Sequence, residues 1–278
     1  VGNGGPKYEL KPTKAGQESV FMWGAPFMTL TTGMWDYDLR IKNMDAAGVD
    51  IAIVSLTCPN AYFGDSGISL RAARMVNDSM AEQQRDKPDR IRWFASLPWQ
   101  YPDLAIEELK RARTAGAVGV MVIANIDGRD LTDPLFAPVW AEIDRQALPV
   151  LIHPTAPQGV REMNMNEYAL VPPIGFTFDT TLAVSRLILS GFLDRHPNLK
   201  IIASHGGGTL PYLASRLDRV HEKIPAAADV ISDKPSSYLT RILYVSVVYA
   251  LEVLYTFLQV GARYPRPPCT SDTPPHSG

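Results

Sequence analysis

From about residue 38 onward the chain alternates two hydrophobic patterns. Short continuous apolar runs, bounded by turn residues, occupy 50–56, 92–97, 118–123, 149–153, 199–204 and 242–248, with a less regular one near 269–272. An apolar run without polar alternation is the pattern of a strand buried on both faces, as in a parallel sheet. Between these runs lie stretches with apolar residues at helical spacing: 38–47, 69–85, 102–114, 134–146, 180–195, 210–222 and 250–260. Leu70, Ala73, Met75, Val76 and Met80 form the inner face of the second helix, and Pro102 stands where proline suits a first helical turn.

Strands alternating with helices of this length predict an α/β protein with a parallel sheet, of the TIM-type (β/α)8 barrel kind. Six clear strands are fewer than the eight of a closed barrel, so the expectation is an incomplete barrel. No GxGxxG follows the first strand and no P-loop is present, which disfavours a dinucleotide-binding sheet. Residues 1–37, rich in Gly, Pro and Thr, show no clear periodicity and are expected to be irregular; 1–278 then reads as a single barrel-like domain.

Composition narrows the function classes. A net charge of −2 without a basic stripe or acidic tail disfavours nucleic-acid or anionic-membrane partners. No apolar run approaches the roughly 20 residues of a membrane span, and the first residues do not resemble a secretory signal. The absence of an initiating methionine suggests a chain that begins mid-protein, although processing gives the same appearance. Two distant cysteines, Cys58 and Cys269, argue against a disulfide scaffold and for a reducing, cytoplasmic setting. A homodimer is compatible with this composition.

Two of the five histidines stand apart. His153 ends the run Pro149-Val150-Leu151-Ile152 and is followed by Pro154; His205 ends Ile201-Ile202-Ala203-Ser204 and is followed by Gly206-Gly207-Gly208. The carboxyl ends of barrel strands are where active sites are built. His153 therefore reads as a metal ligand or catalyst rather than a satisfied core imidazole, and a neutral imidazole suits Zn²⁺. His205 reads as a proton donor or second ligand. Its three glycines are expected to leave amides free for an anionic group such as a carboxylate, with Gly206 and Gly207 as substrate contacts. By contrast, His196 fits a structural role at a helix C-terminus, His221 a solvated helix face, and His276 carries little information. Trp99 and Asn125, in loops after strands, are candidate substrate contacts, though loop aromatics more often simply pack. Asp179 is expected to be a helix N-cap, and Asp272 is on local chemistry equally a turn or a functional residue.

The segments His153-Pro154-Thr155, Phe176-Thr177-Phe178-Asp179-Thr180-Thr181-Leu182 and Leu193-Asp194-Arg195-His196-Pro197 through His205-Gly206-Gly207-Gly208 resemble the amidohydrolase-2 group of metal-dependent barrels, as does the stretch from Arg40 to Asp50. That group includes aminocarboxymuconate-semialdehyde, resorcylate and carboxyvanillate decarboxylases. The resemblance runs over roughly residues 36–260 and is most specific around His205. It implies one divalent metal, zinc in the first place with manganese as the alternative. Two ligands on the first strand would hold it together with His153 and Asp272, while His205 would assist proton transfer. The implied reaction is protonation of the substrate carbon bearing the carboxylate, followed by loss of CO₂, on a small unsaturated or aromatic carboxylic acid.

Two departures shape the expectation for this chain. No His-x-His or Glu-x-His stands on an apolar strand before residue 50, and prolines crowd Tyr264-Pro265-Arg266-Pro267-Pro268 where the family has a regular strand. The expectation is a barrel without its first strand and last helix, and weak metal binding. Beside the decarboxylase stand a metal-dependent hydrolase of a lactone or amide, in which Asp272 would activate a metal-bound water, and an inactive barrel fragment.

Overall fold

The computed structural model describes residues 8–22, 25–224 and 230–245. The first of these, expected to be irregular, form an antiparallel meander of three short strands: β1 (Tyr8–Pro12), β2 (Glu18–Met22) and β3 (Ala25–Thr29). Its pattern is hard to read because, among the described side chains, only Ser19 and Met22 of β2 are buried there, and proline stands in β1 and β3.

The α/β rhythm then begins. Helix α1 (Tyr37–Ala46) starts where the Asp36 carboxylate accepts the Leu39 amide and leads to strand β4 (Ala52–Val54). Helix α2 (Ser66–Asp86) starts three residues before the expected 69–85 because Asp65 caps the Ile68 amide. Strand β5 (Ile91–Ala95), helix α3 (Pro102–Thr114) and strand β6 (Gly119–Ile123) follow. A two-strand bridge, β7 (Asn125–Ile126) with β8 (Arg129–Asp130), interrupts the rhythm before helix α4 (Ala137–Arg145) and strand β9 (Pro149–His153).

After a long loop come helix α5 (Phe176–Leu189), a single turn α6 (Phe192–Arg195) and strand β10 (Lys200–Ala203). Helices α7 (Leu210–Lys223) and α8 (Pro235–Leu239) precede strand β11 (Leu243–Tyr244).

Strands β4, β5, β6, β9, β10 and β11 make one sheet in that order, every neighbouring pair parallel. These are the six strands that the apolar runs predict. Such an order, each strand beside the next in sequence, is that of a barrel wall and not of a doubly wound sheet. All five residues of β6 are buried, as a strand covered on both faces requires. Helix α2 is tied to the end of β5 by Asn77, whose amide donates to the Ser96 carbonyl and accepts from the Ser96 amide, each at 2.9 Å. Glu108, fully buried on α3, accepts from Asn77 and from both nitrogens of an Arg111 fork. With the Arg74 Nε of α2 at 3.3 Å as a fourth donor, that buried carboxylate is compensated and locks the two helices together.

Candidate active site

Register places the two candidate histidines side by side. Ile152 of β9 pairs with Ala203 of β10, so His153 and Ser204 leave the sheet at the same level. Ser204 closes the step by donating its hydroxyl to the Ile152 carbonyl at 2.8 Å. His205 then turns with a left-handed φ of 53°, a conformation that costs a non-glycine residue on the order of 1 kcal/mol. This turn brings its ring to a centroid distance of 5.5 Å from that of His153. Phe176, the first residue of α5, packs edge-on to His153 at 6.3 Å and against His205 at 6.0 Å. Phe27 of β3 packs edge-on to Phe176 at 5.9 Å, so the N-terminal meander roofs this corner.

The His153 Nδ1 lies 2.8 Å from the Pro154 carbonyl oxygen and 3.3 Å from the Thr57 hydroxyl. A carbonyl only accepts, so Nδ1 carries the proton and Nε2 the lone pair. Burial holds the imidazole pKa down to about 4, against the opposing pull of the Pro154 carbonyl, so the ring is neutral at physiological pH. This is the form a divalent cation binds, and His153 fits one ligand position. Among the described residues no group of three His, Cys, Asp or Glu side chains is placed to hold a metal ion. Asp272 and the proline-rich segment lie outside the described residues.

Three expectations are corrected. The amides of Gly206, Gly207 and Gly208 are not free for an anion: they donate to the carbonyls of Val245, Ser204 and His205. The glycines serve close approach instead. A Cβ on Gly207 would stand 2.6 Å from the Tyr244 ring, and one on Gly208 would stand 2.2 Å from the Thr177 carbonyl. Trp99 is fully buried between Phe136 and Trp140, at 6.0 and 4.9 Å, so it packs the core and presents no face to a substrate. Asn125 is close to the site but its amide is committed to the protein: Nδ2 donates to both oxygens of Asp179, and Oδ1 accepts the Gly128 amide.

Asp179 is the residue that sequence reasoning misjudged. Helix α5 begins at Phe176, continuous with a π-helical turn over Val171–Gly175, so Asp179 lies inside the helix and not at its cap. Its carboxylate is 3% exposed and accepts the Thr155 amide at 2.9 Å and the Asn125 amide at 3.0 and 3.2 Å. Burial raises its pKa to about 6, opposed by these donors and by Arg186. The sequence offered only an acid before Thr180, Thr181 and an apolar run, a pattern that reads equally well as a helix cap. Cys58, also buried here, has its thiol pushed up to about 11 by burial and is not a thiolate at neutral pH. His196 packs on Phe192 at 4.4 Å after α6, the structural role expected of it.

The amidohydrolase family model matches residues 27–253. The chain is 30% identical over 235 residues to 2-amino-3-carboxymuconate-6-semialdehyde decarboxylase of Dictyostelium discoideum, covering 83% of this chain and 65% of that one. It is 37% identical over 191 residues to gamma-resorcylate decarboxylase of Rhizobium sp., covering 65% of this chain and 58% of the relative. The chain thus spans about three fifths of the length of these curated relatives. Among solved structures, a dihydroxybenzoic acid decarboxylase from Polaromonas sp., with bound manganese and the inhibitor 2-nitroresorcinol, superposes with a TM-score of 0.72. Its sequence identity is 29%, over 81% of this chain and 72% of that one. The matched span contains the whole parallel sheet with His153 and His205 at its carboxyl edge, and the chain belongs to the amidohydrolase family.

Proposed function

We propose that this chain carries the active-site half of a metal-dependent decarboxylase acting on a small aromatic or unsaturated carboxylic acid. The observation that carries the reading is the pairing of His153 and His205 at 5.5 Å on adjacent strand ends, under the Phe176 ring. The decarboxylase names of the similar proteins support it. In this reading His205 delivers a proton to the substrate carbon that bears the carboxylate. A C–H bond forms there, the bond to the carboxylate breaks, its electron pair returns to the conjugated system, and CO₂ leaves. Phe176 supplies an apolar edge beside the substrate ring and keeps water from the proton. A divalent cation with His153 among its ligands would supply charge that orients and polarises the substrate. Manganese in the Polaromonas structure makes Mn²⁺ the first ion to test, ahead of the Zn²⁺ suggested by the ligand chemistry.

The test restores an upstream strand carrying His-x-His, since the chain without one is expected to bind metal only weakly. In that restored protein it measures CO₂ release from a panel of aromatic and dienyl carboxylic acids, alongside metal content. His205→Ala is expected to cut turnover by about 10²–10⁴-fold with bound metal nearly unchanged. His153→Ala is expected to lose the metal. Cleavage of a lactone or amide with no CO₂ from any acid would transfer the site to the hydrolase reading.

A further inference from the structure

The contacts around the turn after β9 form an unbroken line. The Thr155 amide that Asp179 holds and the Pro154 carbonyl that accepts from His153 are the two ends of one peptide group. We propose that the Pro154–Thr155 peptide relays the carboxylate of Asp179 to the imidazole of His153, making Asp179 a positioning residue that fixes the ring's tautomer and orientation. The sequence of bonds runs from the Asp179 Oδ2, through Thr155 N–H at 2.9 Å, across the peptide plane, to Pro154 C=O and the His153 Nδ1–H at 2.8 Å.

The physics is that of coupled dipoles. An anion bonded to a peptide N–H draws the group's charge along the peptide, which makes the carbonyl oxygen a stronger acceptor. A stronger acceptor on Nδ1 favours the Nδ1–H tautomer and leaves Nε2 as the basic, lone-pair nitrogen. Carboxylates commonly perform this service for ligating histidines through direct contact; here a peptide stands between. Rigidity follows from the same contacts. Asp179 is also held by Asn125, which in turn reaches the Ala156 carbonyl at 3.4 Å, one residue beyond the relayed peptide. Asp179, Asn125 and Thr155 are all buried, so water does not compete for these bonds. The Thr57 hydroxyl also approaches the same Nδ1, but at 3.3 Å it is the longer and weaker contact, and the carbonyl accepts the Nδ1–H bond.

The functional meaning of the relay rests on His153 being a working imidazole of the proposed site. The relay itself is readable without substrate or metal, so either idea can fail alone. The experiment is ¹⁵N spectroscopy of histidine-labelled full chain, with the His153 signals assigned by their loss in His153→Ala. In the parent protein the Nδ1–H tautomer of His153 is expected to dominate by about tenfold or more, as a charge-assisted bond in series would set it. Asp179→Asn keeps an acceptor for the Thr155 amide but removes the charge, and the tautomer ratio is expected to fall severalfold; Asp179→Ala should lower it further. Leu187→Ala, which removes a fully buried side chain of the same helix, is the destabilised control for Asp179→Ala and should leave the ratio at the parent value. A dominant Nε2–H tautomer in the parent protein overturns the relay even if no variant folds. A ratio unchanged in a folded Asp179→Asn, or shifted equally by Leu187→Ala, overturns it as well.

Discussion

A buried carboxylate whose charge is compensated by neutral donors is a conditional asset. Asp179 is held by the Thr155 and Asn125 amides rather than by a contacting cation among the described residues, and its pKa stands at about 6 against an ordinary 3.8. The folded state therefore binds its proton more tightly than the unfolded chain does. The stability from this difference is fully present below about pH 4 and is lost as pH rises through 6; the span corresponds to about 3 kcal/mol as an order of magnitude. Asp179→Asn removes that dependence. Relative to the parent, the variant is expected to gain stability between pH 4 and pH 7, as read from urea midpoints across that range. Curves that stay parallel would show that the carboxylate titrates near its ordinary value. Asp179→Ala should be worse at every pH, since it leaves the Thr155 amide and the Asn125 side chain without an acceptor, at about 1–3 kcal/mol each. None of this was legible in the sequence, because the residues that bury Asp179 come from β7, the turn after β9 and a helix whose first turn is π-helical. Local reading could see only an acid followed by threonines.

At the scale of elements, what the sequence made legible follows from one property: a strand covered on both faces must be continuously apolar. β6 is buried at all five positions, whereas β9 and β10 bury alternate residues, Val150 and Ile152, Ile201 and Ala203. Their apolar runs still marked both as strands of one parallel sheet and so placed the two histidines, His153 and His205, at one edge. The glycine turn after β10 shows the limit of the same method. Three consecutive glycines are compatible with an exposed anion cradle and with tight packing, and only the neighbours decide. Here the neighbours are Tyr244 of β11 and the Thr177 carbonyl of α5. Gly208→Ala is accordingly expected to destabilise the fold by about 2–5 kcal/mol, from a φ of +65° and a Cβ 2.2 Å from that carbonyl. Thermal unfolding checks this. A variant of unchanged Tm would mean that α5 can yield to the methyl group, and with it the packing argument for the turn.

For the whole molecule, burial is divided unequally. One large core runs from Met44 to Tyr244 along the parallel sheet. A second, smaller cluster, Met22, Ala156, Val160, Met165 and Val171, lies beside it, with Tyr8 and Phe176 packed on its rim and Phe27 packed against both clusters. This second cluster joins the N-terminal meander to the long loop after β9, which is the loop that carries Thr155 and leads to Phe176. Segments with few buried apolar contacts open at free energies well below global unfolding. The meander and that loop should therefore exchange together, ahead of the sheet. Phe27→Ala removes the edge-on contact with Phe176 at 5.9 Å and, for a half-buried ring, should weaken this unit by roughly 1–3 kcal/mol. Hydrogen exchange is the measurement: protection is expected to fall about tenfold or more over 8–22 and 156–176, while the amides of β6 and β9 keep theirs. Uniform loss of protection through the sheet would mean that the two clusters unfold as one. The roof would then be part of the barrel wall's own cooperativity, not a separately adjustable cover over His153 and His205.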